Sequence, residues 1–131
     1  VTAAIPMCGM YRLDIDYHAT EMPHGRAYSE EMMGGTPEEF PEKYANASPG
    51  RFIGNIRGHV MIVHGLADSN VGPENTHVAV SELTEAGIPH QVMLFDDEGH
   101  GIFRRTNVAT YLRTSAEFLH RAFAQGIRPA P

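Results

Sequence analysis

Cysteine is scarce in this chain, and basic residues are neither numerous nor clustered. Cys8 is the only cysteine, which excludes an intramolecular disulfide and a cysteine-rich zinc module and favours a reducing compartment such as the cytoplasm. Ten lysines and arginines stand against sixteen acidic residues, for a formal net charge of −6. Because nucleic acids are bound by clustered Lys and Arg, this scattered set argues against a nucleic-acid partner.

Long apolar runs are also missing, so we expect no membrane-spanning segment. The first residues, VTAAIP, lack the basic segment of a signal peptide, and the chain does not start with methionine. We therefore expect it to begin partway through a longer protein. Its 131 residues, 42% hydrophobic and 20% charged, suffice for one globular domain with a core.

Short apolar runs bounded by turn residues predict three buried strands of a parallel sheet: VTAAI (1–5), HVMIV (59–63) and QVMLF (91–95). Between the last two strands, a helix is predicted from Pro73, a residue suited to the first turn, to a stop at Gly87. A strand, a helix and a parallel strand in this order indicate an α/β fold with a right-handed crossover.

Two further helices follow from local signals. The run from Thr106 to Gly126 predicts an amphipathic closing helix whose apolar stripe is Val108, Leu112, Ser115, Leu119 and Phe123. Thr36, Pro37 and Glu39 form a capping-box pattern that predicts a short helix starting there. Residues 6–35 are irregular, and their pattern supports no assignment.

Two chemically useful side chains follow neighbouring strands. Asp68 comes after HVMIV, in HGLADSNVG, and His100 comes after QVMLF, in DDEGHGIF. Since parallel strands end at one edge of the sheet, where ligands usually bind, we expect the two side chains to be close together. A carboxylate that accepts the imidazole N–H would fix its tautomer and stabilise the imidazolium. The pair therefore has the composition of a general base and the group that orients it.

The chain resembles the C-terminal part of the catalytic domain of prolyl oligopeptidase-type serine peptidases, which have the α/β-hydrolase fold and include dipeptidyl and acylaminoacyl peptidases. The resemblance is carried by HVMIVHGLADSNVGPENT, QVMLFDDEGHGI and the upstream MMGGTPEEFPEKYANASP, and it extends from the first residue to about Phe123. It implies that Asp68 is the acid and His100 the base of a Ser-Asp-His triad, that the substrate is a peptide or acyl-peptide, and that no cofactor is needed.

The third member of the implied triad is not recognisable in the sequence. A nucleophile elbow needs a G-x-S-x-G turn, and none of the serines has these flanks: Ser29, Ser48, Ser69, Ser81 and Ser115. In α/β-hydrolases the nucleophile precedes the acid and the base. We therefore interpret residues 1–131 as the C-terminal part of an α/β-hydrolase domain, inactive alone, with the serine and part of the oxyanion hole upstream of Val1.

By the same resemblance, the three strands are the sixth, seventh and eighth of a larger sheet. The first of them would then have an unpaired, apolar edge, which invites pairing with another chain segment. We expect the partner to be the upstream part of the same protein or a second copy.

Other interpretations use the same residues. Cys8 follows a strand and precedes Asp68 and His100, as the nucleophile does in dienelactone hydrolase-like enzymes, but Pro6 and Met10 stand where small flanking residues are needed. A small esterase would share every residue of the pair. The chain could also be a non-catalytic interaction module of α/β-hydrolase descent.

The remaining candidates have structural interpretations. His64 is predicted to pack or to form hydrogen bonds, and Asn70 and Val71 to shape the loop that holds Asp68. Asp96, Asp97 and Glu98 are predicted to form a solvent-facing turn. The eight histidines are dispersed and H-E-x-x-H is absent, so we expect no metal site.

Overall fold

The computed structural model describes residues 1–128, and at its centre lies a parallel sheet of three strands. The strands lie in the spatial order β1 (Ala3–Ala4), β2 (His59–Gly65) and β3 (His90–Phe95). Val60 pairs with His90 and Gly65 with Phe95, so β2 and β3 end at the same edge of the sheet. The predicted parallel arrangement is confirmed.

Helices connect the strands and cover the sheet. In chain order they are α1 (Leu13–Ala19), α2 (Gly25–Met33), α3 (Pro41–Ala47), a 3-10 helix (Pro49–Asn55), α4 (Glu74–Glu85) and α5 (Arg105–Gln125). Among these described helices, none combines the length and the apolar character needed to cross a lipid bilayer. The fold is α/β, as the order of the predicted elements indicates.

Strand β2 is apolar along most of its length because helices cover both of its faces. Ile62 points to one face and packs in a core cluster with Leu83 of α4. Met61 and Val63 point to the other face, where they form a second cluster with Phe118 of α5. Burying each such side chain stabilises the fold by roughly 1.5–3 kcal/mol. The result is three layers: α4, the sheet and α5.

Helix α4 has nearly the limits that its punctuation predicts. Pro73 precedes the first turn in a helical conformation, and regular helix begins at Glu74. Gly87 has a φ of 64°, a left-handed value that glycine adopts without strain, and it stops the helix.

Strand β1 is shorter than predicted. The VTAAI pattern predicts a strand over residues 1–5, whereas β1 comprises only Ala3–Ala4. Pro6 has no N–H to donate, so the ladder is interrupted there, and pairing resumes as a single bridge between Met7 and Val63.

Strand β3 is less buried than predicted. Val92 is 40% and Leu94 38% exposed, although the apolar run indicates a strand covered on both faces. The reason is its position, because β3 is an outer strand of the described sheet and α4 packs mainly over β2.

Residues 6–35 contain two helices, α1 and α2, that the sequence pattern does not predict. Buried Asn75 of α4 holds α1 in place, since its Nδ2 donates to Oδ1 of Asp16 over 3.1 Å. The hydroxyl of Tyr17 in α1 donates to Glu30 in α2 over 2.6 Å. Helices this short are marginal by themselves, and contacts with distant residues stabilise them here.

The capping box at Thr36 forms, but it does not start a regular helix. The Thr36 hydroxyl accepts the Glu39 N–H at 3.3 Å, and the Glu39 carboxylate accepts the Thr36 N–H at 2.9 Å. The chain makes one turn and leaves the helical conformation at Phe40, because the following Pro41 disfavours it; α3 then begins at Pro41.

Helix α5 lies where it is predicted, but its buried face is rotated from the predicted stripe and shares with it only the buried Ser115 and the half-buried Leu119. Leu112 and Phe123 are 59% and 64% exposed, although the predicted stripe includes both. Ser115, Phe118 and Ala122 are the buried residues. They lie three to four positions apart, as one face of a helix requires, and Phe118 packs against β2.

Candidate active site

Asp68 lies in a tight turn that starts directly after β2. Its Oδ1 accepts the backbone N–H groups of Asn70, at 2.9 Å, and Val71, at 3.0 Å. Such a side-chain-to-backbone turn is a common use of aspartate, and it orients the carboxylate before any second side chain contacts it. The residue is only 5% exposed. Asn70 and Val71 thus shape the loop that holds Asp68, as predicted.

His100 reaches Asp68 from the loop after β3. Its Nδ1 lies 2.9 Å from Oδ2 of Asp68, which confirms the predicted proximity across 32 residues of sequence. Oδ2 is an acceptor, so Nδ1 carries the proton of this hydrogen bond. The side chain of Asp68 is fully buried, whereas that of His100 is 46% exposed. Nε2 is consequently the ring nitrogen available for proton transfer.

The surroundings keep Asp68 ionised. Burial acts to raise the pKa of Asp68, but hydrogen bonds from the Val71 N–H, from His100 and from the Asn70 N–H outweigh it. The pKa of this carboxyl therefore lies below its ordinary value. A carboxylate that is buried and charged can accept the imidazole N–H and stabilise an imidazolium.

Glu98 fixes the other end of the loop that carries His100. It is 3% exposed, and its carboxylate accepts the backbone N–H groups of Phe103, at 3.1 Å, and Arg104, at 2.8 Å. Asn107 of α5 donates to it as well, at 2.9 Å. Burial acts to raise the pKa of Glu98, but these donors outweigh it, so the pKa lies below its ordinary value.

The predicted solvent-facing role of Glu98 is therefore wrong. Its carboxylate bonds N–H groups just before α5, which would otherwise lack partners in the helix. The sequence contains a weak signal for this role, because Glu98 is an acidic residue shortly before an amphipathic helix. The signal is weak because a loop separates Glu98 from the first residue of α5, Arg105.

Gly65 allows the loop to lie against the end of β2. An added Cβ at Gly65 would stand 2.3 Å from the carbonyl oxygens of Glu98 and Gly99. The backbone of the loop also bonds the turn of Asp68, since the Ala67 N–H donates to the Glu98 carbonyl over 2.9 Å. A residue without a side chain is thus required at this position.

His64 contacts the same carboxylate from inside the molecule. Its ring is fully buried, and Nε2 lies 2.9 Å from the Val71 carbonyl and 3.2 Å from Oδ2 of Asp68. Nδ1 lies 2.6 Å from the hydroxyl of Thr76 in α4. The predicted hydrogen-bonding role of His64 is confirmed, but its neighbours Thr76 and Asp68 could not be read from the sequence.

Cys8 lies beside His64 and Asp68, directly after the bridge between Met7 and Val63. Its Sγ, a ring nitrogen of His64 and a carboxylate oxygen of Asp68 all lie within 4.8 Å of one another, close enough for metal ligands. However, both ring nitrogens of His64 are already engaged, so it could bind a metal only by losing one of these bonds.

The protonation of Cys8 argues against the alternative in which Cys8 is the nucleophile. Cys8 has a φ of 49°, which is strained for a residue with a side chain. Burial and the negative charge of Asp68 raise the pKa of Cys8 above its ordinary value. A raised pKa keeps the thiol protonated and disfavours a nucleophilic thiolate.

Comparison with known proteins identifies the family. The model of the prolyl oligopeptidase family matches residues 2–126. The chain belongs to the prolyl oligopeptidase family. Dipeptidyl peptidase 4 of Bos taurus is 30% identical over 99 residues, which cover 74% of this chain and 13% of that protein. Dipeptidyl-peptidase 5 of Porphyromonas endodontalis is 26% identical over 121 residues, covering 89% and 17% respectively.

Solved structures show the same fold. A puromycin-hydrolyzing peptidase of Mycobacterium tuberculosis superposes with a TM-score of 0.83 at 24% identity, over 98% of this chain and 20% of that one. The acylaminoacyl peptidase of Pyrococcus horikoshii gives a TM-score of 0.77 at 19% identity, over 99% and 21%. The fold is that of α/β-hydrolases, and this member of the prolyl oligopeptidase family spans about a fifth or less of the length of these relatives.

Proposed function

We propose that this chain supplies the acid and the base of a serine-peptidase triad, with Asp68 as the acid and His100 as the base. The observation that carries the proposal is the 2.9 Å contact between the buried Asp68 carboxylate and Nδ1 of the half-exposed His100 ring. Membership in a family of serine peptidases supports the same roles.

In the proposed reaction, Nε2 of His100 takes the proton of a serine hydroxyl as that oxygen attacks the carbonyl carbon of the substrate. The imidazolium then gives this proton to the leaving amine, and the acyl-enzyme is hydrolysed by water with His100 acting again as base. Asp68 keeps the proton of the neutral ring on Nδ1 and stabilises the imidazolium, and its own lowered pKa keeps it ionised throughout.

The serine belongs, in this proposal, to a part of the protein upstream of Val1, and residues 1–131 form the C-terminal part of the catalytic domain. In the described part of the chain, Nε2 of His100 has no hydrogen-bond partner. Two serines of this chain are not accessible as the nucleophile, since Ser48 is buried and donates to the Tyr44 carbonyl, and Ser115 is buried in α5.

The surface of the chain is consistent with coverage by that upstream part. The edge of β1 that does not pair with β2 has no neighbour among the described strands. Leu112 and Phe123 on α5 are large apolar side chains with more than half of their surface exposed. Eleven positions are close to three helical turns, so the two side chains lie on one face of α5, and an apolar helix face left exposed is typical of an interface.

The substrate that we propose is a peptide or an acyl-peptide. The relatives are named as dipeptidyl peptidases, and one structural neighbour as an acylaminoacyl peptidase. Hydrolysis of amide substrates by the complete protein would support a peptidase, whereas turnover restricted to ester substrates would identify an esterase.

The roles are tested in the complete protein with a fluorophosphonate probe and an amide substrate. His100→Ala is expected to abolish labelling and turnover, and Asp68→Asn to lower turnover by about 10⁴-fold with the fold retained. His120→Ala, on the exposed side of α5, is the matched control and should behave as wild type. Normal turnover in either site variant would refute the assignment, and an adduct on the isolated 131-residue chain would refute the upstream nucleophile.

A further inference from the structure

His64 has a fully buried ring with three polar neighbours, and the proposed reaction does not use it. The Val71 carbonyl lies 2.9 Å from Nε2, and Oδ2 of Asp68 lies 3.2 Å from the same nitrogen. The hydroxyl of Thr76 lies 2.6 Å from Nδ1. A buried polar ring with every nitrogen engaged is held in one orientation.

These neighbours define where the ring carries its proton. A carbonyl oxygen and a carboxylate oxygen both face Nε2, and neither can donate, so Nε2 bears the hydrogen. In the neutral ring, Nδ1 is then an acceptor, and the Thr76 hydroxyl is the donor that faces it. The opposite tautomer would set the lone pair of Nε2 against two oxygen atoms. The two acceptors at Nε2 therefore select the tautomer of His64, and the Thr76 hydroxyl supplies the donor that Nδ1 of this tautomer needs.

The selected tautomer acts on Asp68 by two routes. The Nε2–H donates to the Val71 carbonyl, and the N–H of the same Val71 donates to Oδ1 of Asp68. The polarised Nε2–H also lies near Oδ2, the oxygen that accepts the proton of His100. Both routes hold the carboxylate in the orientation that His100 requires.

We propose that His64, with its Nδ1 held by the Thr76 hydroxyl, is a positioning residue that holds Asp68 against His100. The proposal rests on the proposed triad roles of Asp68 and His100, and it adds a second imidazole on the opposite side of the shared carboxylate. It explains why a polar ring occupies a strand position that faces the interior beside apolar Ile62.

Thr76 offers the sharpest test, because two small substitutions separate its hydroxyl from its shape. Thr76→Val keeps the shape and removes the donor, whereas Thr76→Ser keeps the donor and removes a methyl group. The control is Thr84→Val on the same helix, where an exposed hydroxyl donates only to the Val80 carbonyl. The kcat and KM for an amide substrate are measured in the complete protein, and thermal unfolding verifies that each variant is folded.

Thr76→Val is expected to lower kcat about tenfold with KM unchanged, the equivalent of one hydrogen bond at about 1.4 kcal/mol. Thr76→Ser should retain a kcat close to that of wild type, and so should Thr84→Val. A role in packing alone predicts the reverse order, with the serine variant worse than the valine variant, and that order would overturn the proposal.

Asp68→Asn, measured in parallel, separates the two levels of inference. If Asp68→Asn loses turnover while Thr76→Val matches wild type, the positioning role is wrong and the triad assignment stands. If Asp68→Asn keeps normal turnover, the proposed function fails and the positioning role fails with it.

Discussion

Replacing Gly65 with alanine is expected to separate His100 from Asp68. The added Cβ would stand 2.3 Å from two backbone carbonyl oxygens, those of Glu98 and Gly99. Ordinary carbon-to-oxygen contacts are about 3.3 Å or longer, so the loop must shift by about 1 Å. No side-chain rotation can relieve the clash, because both contacting atoms belong to the backbone.

The shift acts directly on the site. The hydrogen bond from His100 to Asp68 is 2.9 Å long, and lengthening by about 1 Å would take it outside hydrogen-bonding distance. Displacements of this size lower turnover by about 10²-fold, and overpacking destabilises a fold by about 1–3 kcal/mol. We therefore expect Gly65→Ala to remain folded with a kcat lowered by about two orders of magnitude.

The assay is turnover of an amide substrate by the complete protein, with thermal unfolding recorded for each variant. Gly54→Ala is the matched control, because an added Cβ there meets no atom within 4 Å. Wild-type turnover in a folded Gly65→Ala variant would refute the reasoning that links the position of the loop to the Asp68–His100 contact.

Two further predictions concern stability. Because the pKa of Asp68 is lowered in the folded chain, its contribution is fully present above its ordinary value of 3.8 and is lost as the pH falls through the lower folded-state pKa. Urea unfolding of Asp68→Asn should accordingly show a flatter dependence on pH below 3.8 than wild type, and parallel profiles would contradict the role. Leu83 is 1% exposed in the core, so Leu83→Ala should lower the free energy of unfolding by about 2–5 kcal/mol. Leu112 is 59% exposed, so Leu112→Ala should change it by less than about 0.5 kcal/mol. Urea unfolding of the 131-residue chain measures both values.

Local patterns in the sequence were sufficient for the elements that are buried on both sides. The run HVMIV predicts β2 because a strand covered by helices on both faces has to be apolar at successive positions. Pro73 and Gly87 bracket α4 through backbone properties that need no tertiary contact. The proximity of Asp68 and His100 follows from the topology alone, since parallel strands end at one edge.

Other features were beyond local patterns because distant residues create them. Helices α1 and α2 depend on contacts such as that between Asn75 and Asp16, which are 59 residues apart. The buried face of α5 depends on where Phe118 meets the sheet, and an amphipathic pattern with apolar residues on two sides cannot select between them.

By itself, the sequence determined the α/β fold, the neighbouring positions of the strands before Asp68 and His100, and the family, because backbone punctuation, apolar periodicity and linear motifs are local properties. Only the tertiary structure decided that Glu98 is buried, that His64 shares the carboxylate of Asp68 and that Thr76 faces His64. The physical reason is that hydrogen-bond partners and burial depend on the three-dimensional position of a side chain. Residues 64, 76 and 98 become neighbours of one site only when strands β2 and β3 pair and α4 packs over them.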